Sequence, residues 1–76
     1  MELKVINVDG MEVEFIIDGK TRKVDFDDYQ SCDNHSNGFS EGYISGPDQF
    51  GVEWTMDAIA TDGRVEDFDP NTITEI

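Results

Sequence analysis

The segment from Met11 to Asp27, MEVEFIIDGKTRKVDFD, constrains the fold more than any other part of the chain. Apolar residues recur at every second position on both sides of Asp18-Gly19, which is the pattern of half-buried β-strands. Asp-Gly favours the type I′ turn of a two-residue hairpin, because both central residues of that turn need a positive φ. The segment is therefore predicted to form a β-hairpin with one apolar face and one acidic face.

A two-residue turn also fixes which residues of the hairpin lie opposite each other. The predicted pairs are Ile17 with Lys20, Ile16 with Thr21, Phe15 with Arg22, Glu14 with Lys23, Val13 with Val24, Glu12 with Asp25 and Met11 with Phe26. The pair of Glu12 with Asp25 is like-charged and opposes folding by roughly a few tenths of a kcal/mol. Two interpretations stay open: these carboxylates bind something, or they only point into water.

The residues before the hairpin, 2–8 (ELKVINV), are predicted to form a first strand, joined to it by a turn at Asp9-Gly10. This turn would place Val8 opposite Met11 and Ile6 opposite Val13. Leu3 would then lie opposite Ile16 on the second face, beside Val5. Three antiparallel strands in a meander result, with a second face that is apolar at one end and acidic at the other. A curved sheet or a small barrel would cover the apolar end.

The remainder of the chain alternates less regularly. Residues 28–42, DYQSCDNHSNGFSEG, are predicted to form a long polar loop, because turn-forming residues dominate there. A short strand at Tyr43-Ile44 and a clear strand over 49–56 follow, with Trp54 in the core. Residues 57–60 fit either a helical turn or more strand, Asp62-Gly63 is a third Asp-Gly turn, and 71–76 is predicted to be a last strand. The fold class is mainly β, with α+β as the alternative, in one domain over 1–76.

The net charge of −13 on 76 residues, from eighteen acids and five bases, restricts the functions open to the chain. Direct binding to nucleic acid needs a basic footprint, and binding to an anionic membrane needs the same. Both are therefore predicted to be absent. The acids are spread over the chain rather than collected in a tail. A surface that is acidic only for solubility is the simplest interpretation, although solubility asks for a smaller charge on a small domain.

Cys32 is the single cysteine, so the sequence allows no internal disulfide and suits a reducing compartment. No signal peptide or transmembrane segment is visible, and a cytoplasmic location is predicted, in the host cell if the protein is phage-encoded. Cys32 and His35 have the spacing of one half of a zinc site without a second half. An EF-hand-like pattern over Asp33, His35, Asn37, Gly38 and Glu41 lacks the final glutamate. No metal site, cofactor or catalytic residue is therefore predicted, and the protein is not expected to be an enzyme.

The spacing of the carboxylates is the remaining signal. Same-face residues two apart on a strand lie roughly 6.5–7 Å apart, which is comparable with neighbouring phosphates of a nucleic-acid strand. Rows of such carboxylates fit the basic channel of a nucleic-acid-binding protein, where they would steer association. The candidate partner-binding residues are Glu12, Glu14, Asp25, Asp27 and Asp28, followed by Glu53, Asp57, Glu66, Asp67 and Asp69.

The chain resembles small, acidic, phage-encoded counter-defence proteins that act as DNA mimics, such as certain anti-CRISPR proteins, anti-restriction proteins and uracil-DNA glycosylase inhibitors. Size, acidity and the strands MEVEFIID and KVDFDD carry this resemblance, which covers the whole chain without a diagnostic motif. It implies a stoichiometric inhibitor of a basic nucleic-acid-binding protein, such as a CRISPR effector or another defence nuclease. Three alternatives stay open: an immunity protein against a nuclease toxin, a β-barrel interaction module that binds through the apolar end near Leu3, Val5 and Ile16, and a small calcium-responsive protein that uses the 33–41 loop.

Overall fold

The computed structural model describes residues 3–76, which form two antiparallel β-sheets. The first sheet has the order β1-β2-β3, and the second has the order β4-β5-β6-β7 with β8 paired to β6. The mainly β prediction is confirmed. The strands are β1 (Leu3–Asp9), β2 (Glu12–Ile17), β3 (Lys20–Asp25), β4 (Asp28–Asn34), β5 (Phe39–Pro47), β6 (Glu53–Thr61), β7 (Arg64–Phe68) and β8 (Thr74–Glu75).

The central hairpin, β2 and β3, forms as predicted. Asp18 and Gly19 have φ of 54° and 75°, as a type I′ turn requires. All six strand pairs from Ile17–Lys20 to Glu12–Asp25 have the predicted register, and Phe26 donates its backbone N–H to the carbonyl of Met11 at 2.9 Å. The apolar face is buried in the core. Its fully buried members are Val13, Phe15, Val24 and Phe26.

The predicted register between β1 and β2 is wrong. The turn lies at Gly10-Met11 instead of Asp9-Gly10, so Asp9 pairs with Glu12 and Val8 with Val13. Gly10 takes the positive φ of 62° that the turn needs. A bulge at Ile6 then shifts the register again, and Leu3 pairs with Ile17. Leu3 and Val5 consequently pack against the core, so of the predicted apolar end only Ile16 stays on the second face.

The predicted long loop over 28–42 is also wrong, because most of this segment is strand. Strand β4 and the start of β5 pair as a hairpin that ends in a 3-10 turn, Ser36–Gly38. A bulge at Cys32 interrupts the alternation. Most of the β4 side chains are exposed, so the strand carries no apolar stripe that the sequence would reveal. Strand β5 runs from Phe39 to Pro47 and is therefore longer than the short strand predicted at Tyr43-Ile44.

The strand predicted over 49–56 is displaced along the chain. Strand β6 begins at Glu53 and ends at Thr61, whereas the sequence predicts a strand over 49–56. Residues 48–52 form a loop, and residues 57–60 continue the strand rather than forming a helical turn. Trp54 is buried, as predicted. The Asp62-Gly63 turn is confirmed with φ of 52° and 81°, and β8 occupies only two residues of the predicted last strand.

Asp48 in the loop between β5 and β6 joins the two sheets. Its carboxylate, which is fully buried, accepts a hydrogen bond from Arg22 Nη1 of β3 at 2.6 Å and from Trp54 Nε1 at 2.9 Å. It also accepts the backbone N–H groups of Phe50 and Val52 at 2.8 and 3.0 Å. Trp54 packs edge-on against Phe15 of the first sheet, with ring centroids 5.1 Å apart. This junction therefore combines an ion pair with apolar packing.

Gln49 and Gly46 make further contacts between the sheets. The Gln49 side chain donates to the carbonyl of Thr21 at 2.9 Å and accepts the backbone N–H of Lys23 at 3.0 Å. Its amide thus pairs with β3 as a neighbouring strand would. A Cβ at Gly46 would collide with the carbonyl oxygen of Asp25, so the absence of a side chain lets β5 approach the end of β3.

The described chain is elongated, with principal extents of 42 × 20 × 19 Å. One core runs through both sheets and includes Val13, Phe15, Ile44, Trp54 and Met56. The strands do not close into a barrel, because the path of paired strands is interrupted between β3 and β4. Among residues 3–76 there is no helix of the length and apolarity needed to cross a membrane.

Candidate functional site: an acidic sheet face

The negative charge is concentrated in the second sheet. Residues 28–76 contain eleven acids and one base, Arg64, which gives a net charge of −10. Residues 3–27 contain six acids and four bases, which gives −2. One of those bases, Arg22, is paired with Asp48 in the junction. The segment that forms the second sheet therefore carries most of the net negative charge of residues 3–76.

Carboxylates lie next to one another across the outer face of the second sheet. Asp33 of β4 pairs with Glu41 of β5, Glu41 pairs with Ile59 of β6, and Ile59 pairs with Asp67 of β7. Cross-strand neighbours on one face are separated by about 5 Å. The three acids of this row are exposed. They form an acidic row that runs across four strands and is interrupted only by Ile59.

A second row lies one same-face step away. Asp57 pairs with Tyr43 of β5, and the backbone N–H of Asp69 donates to the carbonyl of Asp57 at 3.0 Å. The step from Ile59 to Asp57 along β6 is roughly 6.5–7 Å. Between the two rows is a shallow, open hollow whose lining holds four carboxylates and no base: Glu41, Asp57, Asp67 and Asp69, beside Ala58, Ile59 and Phe68. This acidic hollow can accept a lysine or arginine side chain.

Three further candidates belong to the second sheet. Glu53 is exposed on the same face of β6 as Asp57, four residues away. Asp28 begins β4 opposite Ser45 and is also exposed. Glu66 is exposed at the bulge where β7 shifts its register against β6. These three acids lie outside the lining of the acidic hollow.

The hairpin candidates form a separate group on the first sheet. Asp9, Glu12 and Asp25 pair in one row across three strands, with Glu14 one same-face step away. Basic residues lie on the same strands as these acids, and Lys23 Nζ is 3.3 Å from Glu12 Oε1. Asp27 is exposed between β3 and β4. The hairpin, which the sequence ranks first, is thus closer to electrical balance than the outer face of the second sheet.

Three acids of these rows are absent from the predicted set: Asp9, Asp33 and Glu41. The sequence predicts a loop for Asp33 and Glu41, and their adjacency depends on the pairing of β4 with β5. The alternation of Glu41, Tyr43 and Ser45 with the small or apolar residues between them is the sequence signal for that strand. The sequence predicts a turn at Asp9, and the shifted register places Asp9 opposite Glu12.

His35 lies beside the first row at the end of the β4–β5 hairpin. Its Nε2 is 2.8 Å from Glu41 Oε2 and 3.7 Å from Asp33 Oδ2. The hydrogen bond with Glu41 raises the pKa of His35; partial burial opposes this, and the charges of Asp33 and Glu41 add to the rise. The ring also lies against Phe39, with centroids 5.5 Å apart. His35 is therefore bound to carboxylates, and Cys32 is a free, exposed thiol at the bulge.

The site and fold together define a class: a small two-sheet antiparallel β protein whose outer face carries rows of carboxylates. No protein-family model, curated protein or solved structure matches the chain. The functional assignment consequently rests on the charge and geometry of the residues described above.

Proposed function

We propose that the protein is a non-enzymatic inhibitor that mimics DNA and occupies the nucleic-acid-binding surface of a basic protein. The acidic hollow between the two carboxylate rows carries this proposal, because its four carboxylates face solvent with no base in the lining. Neighbouring exposed carboxylates repel one another, and this repulsion lowers the stability of the fold. A cationic partner would remove that cost on binding.

The distribution of charge along the molecule supports the same function. Glu2 lies outside the described residues, so the formal net charge over residues 3–76 is −12. Over a longest dimension of 42 Å this is one net negative charge for every 3.5 Å. One strand of DNA carries one charge for about every 3.4 Å of axis. A basic channel that holds a nucleic-acid strand would thus meet a similar linear charge density.

The partner we propose is a CRISPR effector or another defence nuclease, in line with the resemblance to phage counter-defence proteins. Arginine and lysine side chains that contact phosphates in such a channel would contact Glu41, Asp57 and Asp67 instead. Long-range attraction would make association fast and sensitive to salt, since the Debye length is about 10 Å at 0.1 M. Tyr43, exposed beside Asp57, adds an aromatic contact of the kind enriched at interfaces.

The test compares two variants with the same net charge. One neutralises three of the four carboxylates of the hollow (Glu41→Gln, Asp57→Asn, Asp67→Asn), and the other neutralises three carboxylates of the hairpin (Glu12→Gln, Glu14→Gln, Asp25→Asn). Each immobilised protein is exposed to bacterial lysate at low salt, and retained proteins are identified by mass spectrometry and assayed for DNA binding. We expect wild type and the hairpin variant to retain a nucleic-acid-binding protein that duplex DNA displaces, and the hollow variant to lose it.

Three results would contradict this function. Equal loss in both variants would show that only total charge matters. Equal retention in both, unaffected by salt and DNA, would leave the acids as a solvated surface. A captured protein that still binds DNA in the presence of an excess of the inhibitor would exclude mimicry. The identity of the captured protein separates a defence nuclease from a nuclease toxin.

A further inference from the structure

Three potential metal ligands meet at the end of the β4–β5 hairpin. Asp33 comes from β4, Glu41 from β5 and His35 from the residues that connect them. One ligand atom from each lies within 4.8 Å of the others, and all three side chains are exposed. The cluster combines the His35 imidazole with two carboxylates of the first acidic row, so it offers a nitrogen ligand as well as oxygen ligands.

The backbone holds the three ligands in place. Asp33 and Glu41 are direct cross-strand partners. The His35 N–H donates to the carbonyl of Phe39 at 2.8 Å, and the imidazole packs on the Phe39 ring. Asp62 N–H donates to the carbonyl of Gly38 at 2.9 Å and so ties the hairpin end to the turn between β6 and β7. The ligands therefore project from paired strands and an anchored turn.

We propose that Asp33, His35 and Glu41 form a zinc-binding site. Zinc takes His nitrogen and carboxylate oxygen at about 2.0–2.2 Å, and tetrahedral ligands at that distance are roughly 3.3 Å apart. The separations of His35 Nε2 from Glu41 Oε2 and Asp33 Oδ2, 2.8 and 3.7 Å, lie on either side of this value. The ion would displace the proton between His35 and Glu41 into the solvent, and water would complete the fourth position.

The donor set favours zinc over the hard cations. Calcium and magnesium prefer six or more oxygen ligands, whereas imidazole suits zinc and its neighbours in the first transition row. The two carboxylates neutralise the charge of the ion. The high negative charge of the second sheet also raises the local concentration of cations. The site does not rest on the proposed inhibitor function, because its donors and geometry are independent of any partner protein.

The test is calorimetric titration of the intact protein with zinc chloride at low and moderate salt. We expect one equivalent to bind, at least tenfold more weakly in His35→Gln and Glu41→Gln. Glu53→Gln is the matched control, because it removes one charge from the same face outside the cluster and should change the affinity less than twofold. Cobalt(II), added in place of zinc, should give a visible absorption band that is lost in His35→Gln.

Several outcomes would overturn the site. Binding of many equivalents, weakened equally by Glu53→Gln and Glu41→Gln, would mean that zinc only joins the ion atmosphere. Undiminished binding in His35→Gln would exclude the imidazole. Loss of binding in Cys32→Ser, with a folded β-sheet spectrum, would assign the metal to the thiol. Displacement of zinc by equimolar calcium would show an oxygen-only site.

Discussion

Arg22 Nη1 and Asp48 Oδ2 lie 2.6 Å apart across the junction of the two sheets, although 26 positions separate the residues in the sequence. The guanidinium also lies over the rings of Trp54 and Phe50, with 5.3 and 5.5 Å from its carbon to the ring centroids. Arg22 Nε is buried without a hydrogen-bond partner. The ion pair with Asp48 is thus the main interaction that offsets the loss of hydration of the Arg22 guanidinium.

Replacing Asp48 should strongly destabilise the fold. Asp48→Ala leaves the Arg22 guanidinium unpaired and removes the acceptor of Trp54 Nε1, so we expect the free energy of unfolding to fall by about 3 kcal/mol or more. Urea denaturation followed by Trp54 fluorescence measures this. Asp27→Ala, which removes an exposed carboxylate, is the control and should change stability by about 0.5 kcal/mol or less. Equal effects of the two substitutions would refute the role of the junction.

The same carboxylate should make stability depend on acid pH. Burial raises the pKa of Asp48, but the hydrogen bonds from Trp54, Arg22, Val52 and Phe50 outweigh burial and bring the pKa to about 2, from an ordinary 3.8. Because the folded-state pKa is the lower one, this stabilisation is complete above pH 3.8 and disappears as the pH falls through about 2.

Protonation of the many exposed acids relieves repulsion over the same range, so the quantity to follow is a difference. The stability gap between wild type and Asp48→Asn, from urea midpoints at several pH values, should narrow from pH 4 to pH 2. A gap that stays constant would mean that Asp48 is not held ionised by its partners.

His35 should titrate above the usual range for histidine. The hydrogen bond with Glu41 raises its pKa, with a further contribution from the charge of Asp33. The interaction of protonated His35 with these carboxylates therefore stabilises the fold fully below the unfolded-state pKa of His35. This stabilisation is lost as the pH rises through the folded-state pKa. Titration of the His35 Cε1–H signal by NMR in zinc-free buffer measures this. In Glu41→Gln the pKa of His35 should return towards the pKa measured in the denatured protein. In Glu53→Gln the pKa of His35 should stay above that of the denatured protein.

The Asp9–Glu12–Asp25 row should lower the stability of the first sheet. Like charges directly opposite each other are unfavourable, so Asp25→Thr should raise stability by roughly 0.5 kcal/mol at low salt. Added salt should reduce the gain, because it screens the repulsion that the substitution removes. Lys23→Thr is the control with the opposite expected sign: it removes the ion-pair partner of Glu12 and should therefore lower stability. Destabilisation by Asp25→Thr would show that Asp25 has a favourable contact.

Local chemistry was sufficient to predict the central hairpin. Asp18-Gly19 determines the turn, the turn determines the register, and each residue from Glu12 to Asp25 lies where alternation places it. The same reasoning fails one turn earlier, because both Asp9-Gly10 and Gly10-Met11 are acceptable two-residue turns. The packing of Leu3 and Val5 on the core favours the second.

The second sheet required information that is not local. Strand β4 has mostly exposed side chains and a bulge at Cys32. Its sequence therefore shows neither the helical nor the strand period of apolar residues. The buried role of Asp48 depends on Arg22, which a sequence pattern cannot place nearby. For the site, the acidic residues were predicted from composition. Their clustering at the hollow depends on the pairing of β5, β6 and β7.

The hydrogen bonds of Gln49 also affect whether copies of the molecule can aggregate through the edge of β3. Thr21 and Lys23 present their backbone groups on the side of β3 away from β2, where an exposed strand invites another chain to add. The Gln49 amide occupies the carbonyl of Thr21 and the N–H of Lys23. On the opposite margin of the sheet, the bulge at Ile6 interrupts β1. One side chain and one irregularity thus protect a three-stranded sheet from strand-by-strand aggregation, even at salt concentrations where its charge no longer repels.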